Sequence, residues 1–157
     1  MQLFGRGPEE SPAEFWRQTG EKRGGAIGFM SFATMLGRSG EEILDLPGLL
    51  YTVGGTVWFE DFERDNWLSR IARARRTFEK TELSFATADV RSVRLVTRGG
   101  ALRSIAGRVS PETLRPATVL DRIFSTPIVQ VAMQDGSSLF IDLIQKKEFL
   151  ALFEPAN

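Results

Sequence analysis

The stretch from Pro127 to Phe153, PIVQVAMQDGSSLFIDLIQKKEFLALF, constrains the fold more than any other. Two runs of alternating apolar and polar residues flank Asp135-Gly136, a pair that accepts the backbone of a tight turn. A two-residue turn there would pair Val131 with Phe140 and Val129 with Asp142, and would put polar residues on both faces. An odd loop of three or five residues containing Gly136 instead gathers Val129, Val131, Met133, Leu139, Ile141 and Leu143 on one face. Gln130, Ala132, Phe140 and Asp142 then share the other. Burial of one face sets register, because a one-residue slip inverts every side chain. The odd loop is therefore predicted.

A helix should follow without a break. Asp142 and Gln145 have the spacing of a capping box. Phe149, Leu150, Leu152 and Phe153, with Ile144 or Gln145 a turn earlier, form an apolar stripe at helical spacing. Lys146, Lys147 and Glu148 take the wet side, and Pro155 stops the helix. The stripe should close one open end of a sheet.

A second hairpin is written in Leu49 to Phe62, LLYTVGGTVWFEDF. Gly54-Gly55 supplies a two-residue turn that pairs Val53 with Thr56, Tyr51 with Trp58 and Leu50 with Phe59. Cross-strand aromatic pairs of this kind stabilise a sheet by about 0.2–1 kcal/mol each. Leu83 to Thr97 reads as two short strands around a kink at Ala88-Asp89. Arg98-Gly99-Gly100 reads as a turn, Ala101 to Val109 as a further short strand, and Thr118 to Phe124 as a helical turn.

Between these strands lies Arg64 to Lys80, RDNWLSRIARARRTFEK. Trp67, Ile71, Ala74 and Phe78 recur at i, i+4, i+7 and i+11, and Asp65 or Asn66 can cap the start. Arg70, Arg73, Arg75 and Arg76 occupy much of the remaining surface. A basic amphipathic helix suits an anionic membrane surface or an acidic protein. The plainer reading, an insertion packed on the sheet with its arginines in water, is favoured.

Upstream, Ser11-Pro12-Ala13-Glu14 is a helix start, with a capping Ser, Pro at the first position and Glu three residues after the cap. It predicts a short helix over 12–19, stopped by Gly20 and followed by a linker, EKRGG. The apolar segment 26–36, AIGFMSFATML, stays open between a core strand, a buried helix and a membrane-contacting segment, since periodicity does not decide short apolar runs. Packing in the core is the favoured of the three.

At 157 residues, one domain with a terminal extension is the natural count. The chain has no Cys and no His. Disulfide frameworks, thiolate metal sites and His-based acid–base or zinc chemistry are thereby excluded. No P-loop or dinucleotide fingerprint is present. Glu60, Asp61, Glu63 and Asp65 could hold Mg²⁺ or exchange protons, but solvated loop carboxylates are the simpler reading. No catalytic, cofactor-binding or metal-binding residue is expected, and no cofactor. The net charge is zero but unevenly spread: residues 1–60 carry −3, residues 61–122 carry +5 and residues 123–157 carry −2. A basic middle predicts a positive patch. No signal-peptide pattern opens the chain, so a cytoplasmic protein, with room for membrane association, is expected.

In GLLYTVGGTVWFED (Gly48 to Asp61), ADVRSVRLV (Ala88 to Val96) and the Val129-to-Phe153 hairpin and helix, the chain resembles the pleckstrin-homology-like superfamily, bacterial PH and GRAM domains in particular. The match covers roughly residues 41–153. The resemblance implies a mainly β (α+β) fold: a partly open barrel of two antiparallel sheets capped by the C-terminal helix. Residues 1–40 would form an N-terminal extension, and 41–157 a PH-like domain with a basic helical insertion at 64–80. It implies binding of lipid headgroups, peptides or partner domains more than catalysis. Phosphoinositide-binding members place basic residues around the first strand–strand loop. Taken as Val53-Gly54-Gly55-Thr56, that loop has none here.

The expected function is a non-catalytic adaptor acting through protein contact, with a protein partner or self-association. The alternative is peripheral binding to an anionic membrane through 64–80, with nucleic-acid binding less favoured because the net charge is zero and Lys is scarce. The candidate anion or partner surface comprises Trp67, Arg70, Arg73, Arg75, Arg76, Arg91, Arg94 and Arg98.

Overall fold

The segment left open between strand, helix and membrane contact is a strand, and it is the longest one. In the computed structural model, which describes residues 12–61 and 82–154, β1 runs for 12 residues over Ile27–Arg38. Its inward residues Phe29, Ala33 and Met35 are buried, while Met30 and Phe32 stand exposed on the other face. That alternation is the two-residue period of a strand with one wet side. β1 pairs antiparallel with both β2 (Leu46–Val53) and β7 (Ser138–Leu143). The expected boundary after residue 40 therefore falls between two hydrogen-bonded strands, and 26–36 belongs to the sheet.

Most of the strands are those the sequence suggests, but they form a single seven-stranded sheet where two were expected. β3 is Thr56–Asp61, β4 Glu82–Ala86, β5 Val90–Val96 and β6 Ile128–Met133. The order is β4-β3-β2-β1-β7-β6-β5, antiparallel throughout. β1 is long enough to belong to both halves, and this joins them. β4 and β5 are the two edges of the sheet, yet only the 3₁₀ turn Thr87–Asp89 links them. Three residues span at most about 11 Å, so the sheet must curl until its edges nearly meet. The result is a half-barrel. Its interior holds Phe29, Met35, Leu50, Phe59, Val131, Ile141 and their neighbours.

Both predicted hairpins have the predicted register. Val53 pairs with Thr56, Tyr51 with Trp58 and Leu50 with Phe59, and Gly54 takes φ +59°. Val131 pairs with Leu139 and Ala132 with Ser138, while Met133 N–H donates to the Ser137 carbonyl at 2.8 Å. The loop is thus odd, with Gly136 at φ +90° inside it. All six residues assigned to one face line the same core.

The helices depart from expectation more often. α1 spans Pro12–Arg23 and passes through Gly20. Gly20 accommodates the returning chain: a Cβ there would lie 2.5 Å from the Gly25 carbonyl oxygen. The helix ends at Gly24, φ +85°. The Arg98-Gly99-Gly100 turn and the Ala101-to-Val109 strand are replaced by helix α2, Arg98–Ile105. Thr97 caps it by accepting from Gly100 N–H, and Ala101, Ser104 and Ile105 are buried at helical spacing. A second apolar cluster forms there on the outside of the sheet, where Ala101 and Ile105 meet Leu36, Val96, Ile128 and Phe140. α3 is Val119–Phe124, with a complete capping box between Thr118 and Asp121.

The closing helix α4 is Lys146–Ala151. Phe149 is fully buried and stacks edge-on with Phe153, but Leu152 and Ile144 are exposed. The expected capping box is absent. Gln145 is the N-cap residue without a side-chain bond, because Asp142 points elsewhere, 3.1 Å from Lys146 and 4.0 Å from Arg98. β1 supplies the missing partner: Gln145 N–H donates to the Ser31 hydroxyl at 3.1 Å.

Candidate functional site

Among the described residues, the outer face of the half-barrel is covered in two places, with a groove between them. Over β2 and β3 the cover is α1. Trp16 meets Tyr51 edge-on, with ring centroids 5.8 Å apart. Arg23 donates to the Tyr51 hydroxyl at 3.0 Å and to Glu60 at 2.5 Å, and its guanidinium lies 3.8 Å over the Trp58 ring. Tyr51 donates in turn to Glu60 at 3.0 Å. Burial first of all, together with Glu60, pushes the Tyr51 phenol up to about 12, against the pull of Arg23. The phenol thus stays a neutral donor at neutral pH. Sequence reasoning placed Arg23 in a linker and Glu60 in a solvated acidic cluster. Both are instead members of this α1 lock, and Asp61 is buried as well. Glu63 and Asp65 lie outside the described residues.

Over β1, β6 and β7 the cover is α2 and its apolar cluster. Between the two covers Met30, Phe32 and Ile144 remain exposed. With Trp16, Leu49 and Gln145 they line an outward-facing apolar groove of about 240 Å³. Ser31 also lines it, and its hydroxyl is occupied, donating to the Phe32 carbonyl and accepting from Gln145 N–H. Apart from the Gln145 side chain, the groove offers packing surface rather than hydrogen-bond chemistry. Its signal was present in the alternation of 26–36, but the partners Trp16 and Ile144 lie over a hundred residues apart in sequence.

Of the three described arginines expected on an anion surface, Arg94 is tied into the fold, while Arg91 and Arg98 are exposed and each lies near one carboxylate. Arg94 donates to the Gln130 side chain at 2.8 Å and to the Pro111 carbonyl at 3.2 Å. This holds the loop before α3 against β5 and β6, and Gln130, itself buried, adds a bond to the same carbonyl. Arg91 sits 3.8 Å from Glu112, and Arg98 4.0 Å from Asp142. The three do not converge on a common ligand position. Trp67, Arg70, Arg73, Arg75 and Arg76, with the whole insertion 64–80, lie outside the described residues.

The largest apolar exposure among the described residues is one that sequence reasoning passed over. Val119, Leu120, Ile123 and Phe124 of α3 are 66–84% exposed, and the helix buries none of its residues. The capping signal in Thr118…Asp121 marked a helix, but nothing local said which way it would face. No described helix is long and apolar enough to cross a membrane. No family model matches the chain, and no curated protein and no solved structure matches it.

Proposed function

We propose that the chain is a non-catalytic binding module of PH-like type that works through protein–protein contact, at the apolar groove between α1 and α4. The supporting observation is the groove itself, into which Met30 and Ile144 present exposed apolar side chains. A groove walled by Trp16 and Leu49, with its one hydroxyl already satisfied, suits an apolar anchor such as one side of an amphipathic helix. Half-barrel curvature and a helix closing the barrel end are what the PH-like reading requires, and they support it. With β1 as the first strand, the first strand–strand connection becomes residues 39–45, which carry Glu41, Glu42 and Asp45 and no Lys or Arg. That composition favours a protein ligand over a phosphoinositide headgroup at this loop.

The test is selection of peptides from a random displayed library on the immobilised full chain, with light scattering across concentration to register self-association. Enriched peptides with apolar anchors at helical spacing should bind the native chain and lose at least about tenfold in affinity on I144Q. Ile144 is 71% exposed, so the substitution should leave the thermal midpoint in place. Enrichment of nothing by a monodisperse monomer would overturn the reading. So would peptides that ignore I144Q.

A further inference from the structure

The segment between β5 and β6 presents a surface turned inside out. At 100° per residue, Val119, Leu120, Ile123 and Phe124 fall within an arc of about 140°. All four are exposed. Asp121 and Arg122 fall outside that arc, one on each flank, Asp121 lining one neighbouring cleft and Arg122 the other. Ordinarily the apolar arc faces the core and the charges face water. Asp121 is held in place by the helix start, accepting from the Thr118 N–H at 2.7 Å and from its hydroxyl at 2.9 Å. α3 is anchored upstream as well: Pro116 bridges to Val96, and Ala117 N–H donates to the Leu95 carbonyl at 2.8 Å. An apolar ridge is therefore fixed at the edge of the sheet.

The charge around the ridge is one-sided. Residues 90–125 contain seven Arg against Glu112 and Asp121. The clefts flanking 115–122 hold Arg103 and Arg115 on one side, and Arg91, Arg94 and Arg122 on the other, with Glu154 the carboxylate of the second cleft. Arg103, Arg115 and Arg122 are exposed and form no ion pair among the described residues. A convex apolar ridge with guanidinium groups on both flanks matches a planar interface: apolar side chains enter the acyl boundary while the cations lie at headgroup depth.

We propose that α3 is a contact element for an anionic lipid bilayer, with Val119, Leu120, Ile123 and Phe124 entering the interface and Arg115 and Arg122 meeting the headgroups. This surface is separate from the groove at Phe32 and stands whether or not that groove binds protein. A bilayer fits better than a protein groove for two reasons. All four apolar side chains project from one convex helix, and the positive charge lies on both sides of it.

The test is co-sedimentation of the full chain with phosphatidylcholine vesicles, with and without phosphatidylserine, at low and moderate salt. Binding should require phosphatidylserine and weaken with salt. The neutral double variant I123Q/F124Q should bind at least about tenfold more weakly with an unchanged thermal melt. R115Q/R122Q should lose about thirtyfold, roughly fivefold for each cation near an anionic surface, and should flatten the salt dependence. Failure to sediment with phosphatidylserine vesicles at low salt would overturn the proposal. Full binding by I123Q/F124Q would also do so, placing any lipid contact elsewhere on the chain. Concentration-dependent self-association that I123Q/F124Q abolishes, without vesicle binding, would assign the ridge to a protein contact instead.

Discussion

α2 and α3 lie in the same connection between β5 and β6, and both start at a threonine cap, Thr97 and Thr118. Their apolar residues have opposite fates. Ala101 and Ile105 of α2 are fully buried against Phe140, Ile128 and Leu36, whereas every large apolar residue of α3 is exposed. The difference lies in what is beneath each helix. α2 crosses the outer face of β1 and β6, and Gly100 lets it close on Leu114, where a Cβ would come within 3.2 Å. α3 begins just after Pro116 bridges to β5, an edge strand, and buries none of its residues. A cap and a few apolar residues make a helix. The position of the sheet decides whether that helix is cladding or contact surface.

Truncating one isoleucine in each helix tests this difference most directly. Ile105→Ala should lower the free energy of unfolding in urea by about 2–5 kcal/mol, through lost burial and the cavity left behind. Ile123→Ala should change it by less than about 0.5 kcal/mol, as exposed positions do. Equal losses would mean that α3 is buried in solution.

The second cover on the outer face, α1, sharpens the contrast, because it is fastened by polar groups where α2 is fastened by apolar ones. Tyr51 is the chain's one tyrosine, so tyrosinate absorbance reports this lock alone. It should rise near pH 12, where burial has moved the phenol, rather than near the ordinary value of about 10. The folded state holds its proton more tightly than the unfolded chain. The stabilisation is therefore complete below about pH 10 and is lost as pH rises towards 12. A titration at the ordinary value would show α1 lifted from β2.

The smallest effect separates the two caps. Thr97→Ala should cost about 1 kcal/mol of global stability, because its helix is part of a core. Thr118→Ala should leave global unfolding within about 0.5 kcal/mol and only speed amide exchange within α3. A global cost for Thr118→Ala like that for Thr97→Ala would remove the distinction.

Much of the sheet was legible in the chain. The odd loop around Gly136 followed from asking which register gathers Val129, Val131, Met133, Leu139, Ile141 and Leu143 on one side, and the Gly54-Gly55 pairings followed from turn chemistry. β1 was not legible as a strand. A short run such as AIGFMSFATML is apolar on both faces in the middle of a sheet, and strand and helix then read alike. α2 was hidden by Arg98-Gly99-Gly100, since the glycines suit a turn until the cap and the buried Ile105 hold them in a helix.

The candidate surfaces were less legible than the fold. The arginine count pointed to the basic middle, but Arg91, Arg94 and Arg98 were turned to neighbours brought in by the fold: Glu112, Gln130 and Asp142. Phe32 and Ile144 meet only because β1 pairs with β7, and Arg23 meets Glu60 only because α1 lies across β3.

The sequence alone specified the two hairpins, their register and the residues that β6 and β7 place in the inner core. Those features depend on turn chemistry and a two-residue period, which act over a few residues. Only the tertiary structure decided which helices clad the sheet, where the groove opens and that α3 faces outward. Burial depends on what lies opposite each side chain, and the curl of the sheet brings those partners from distant parts of the chain.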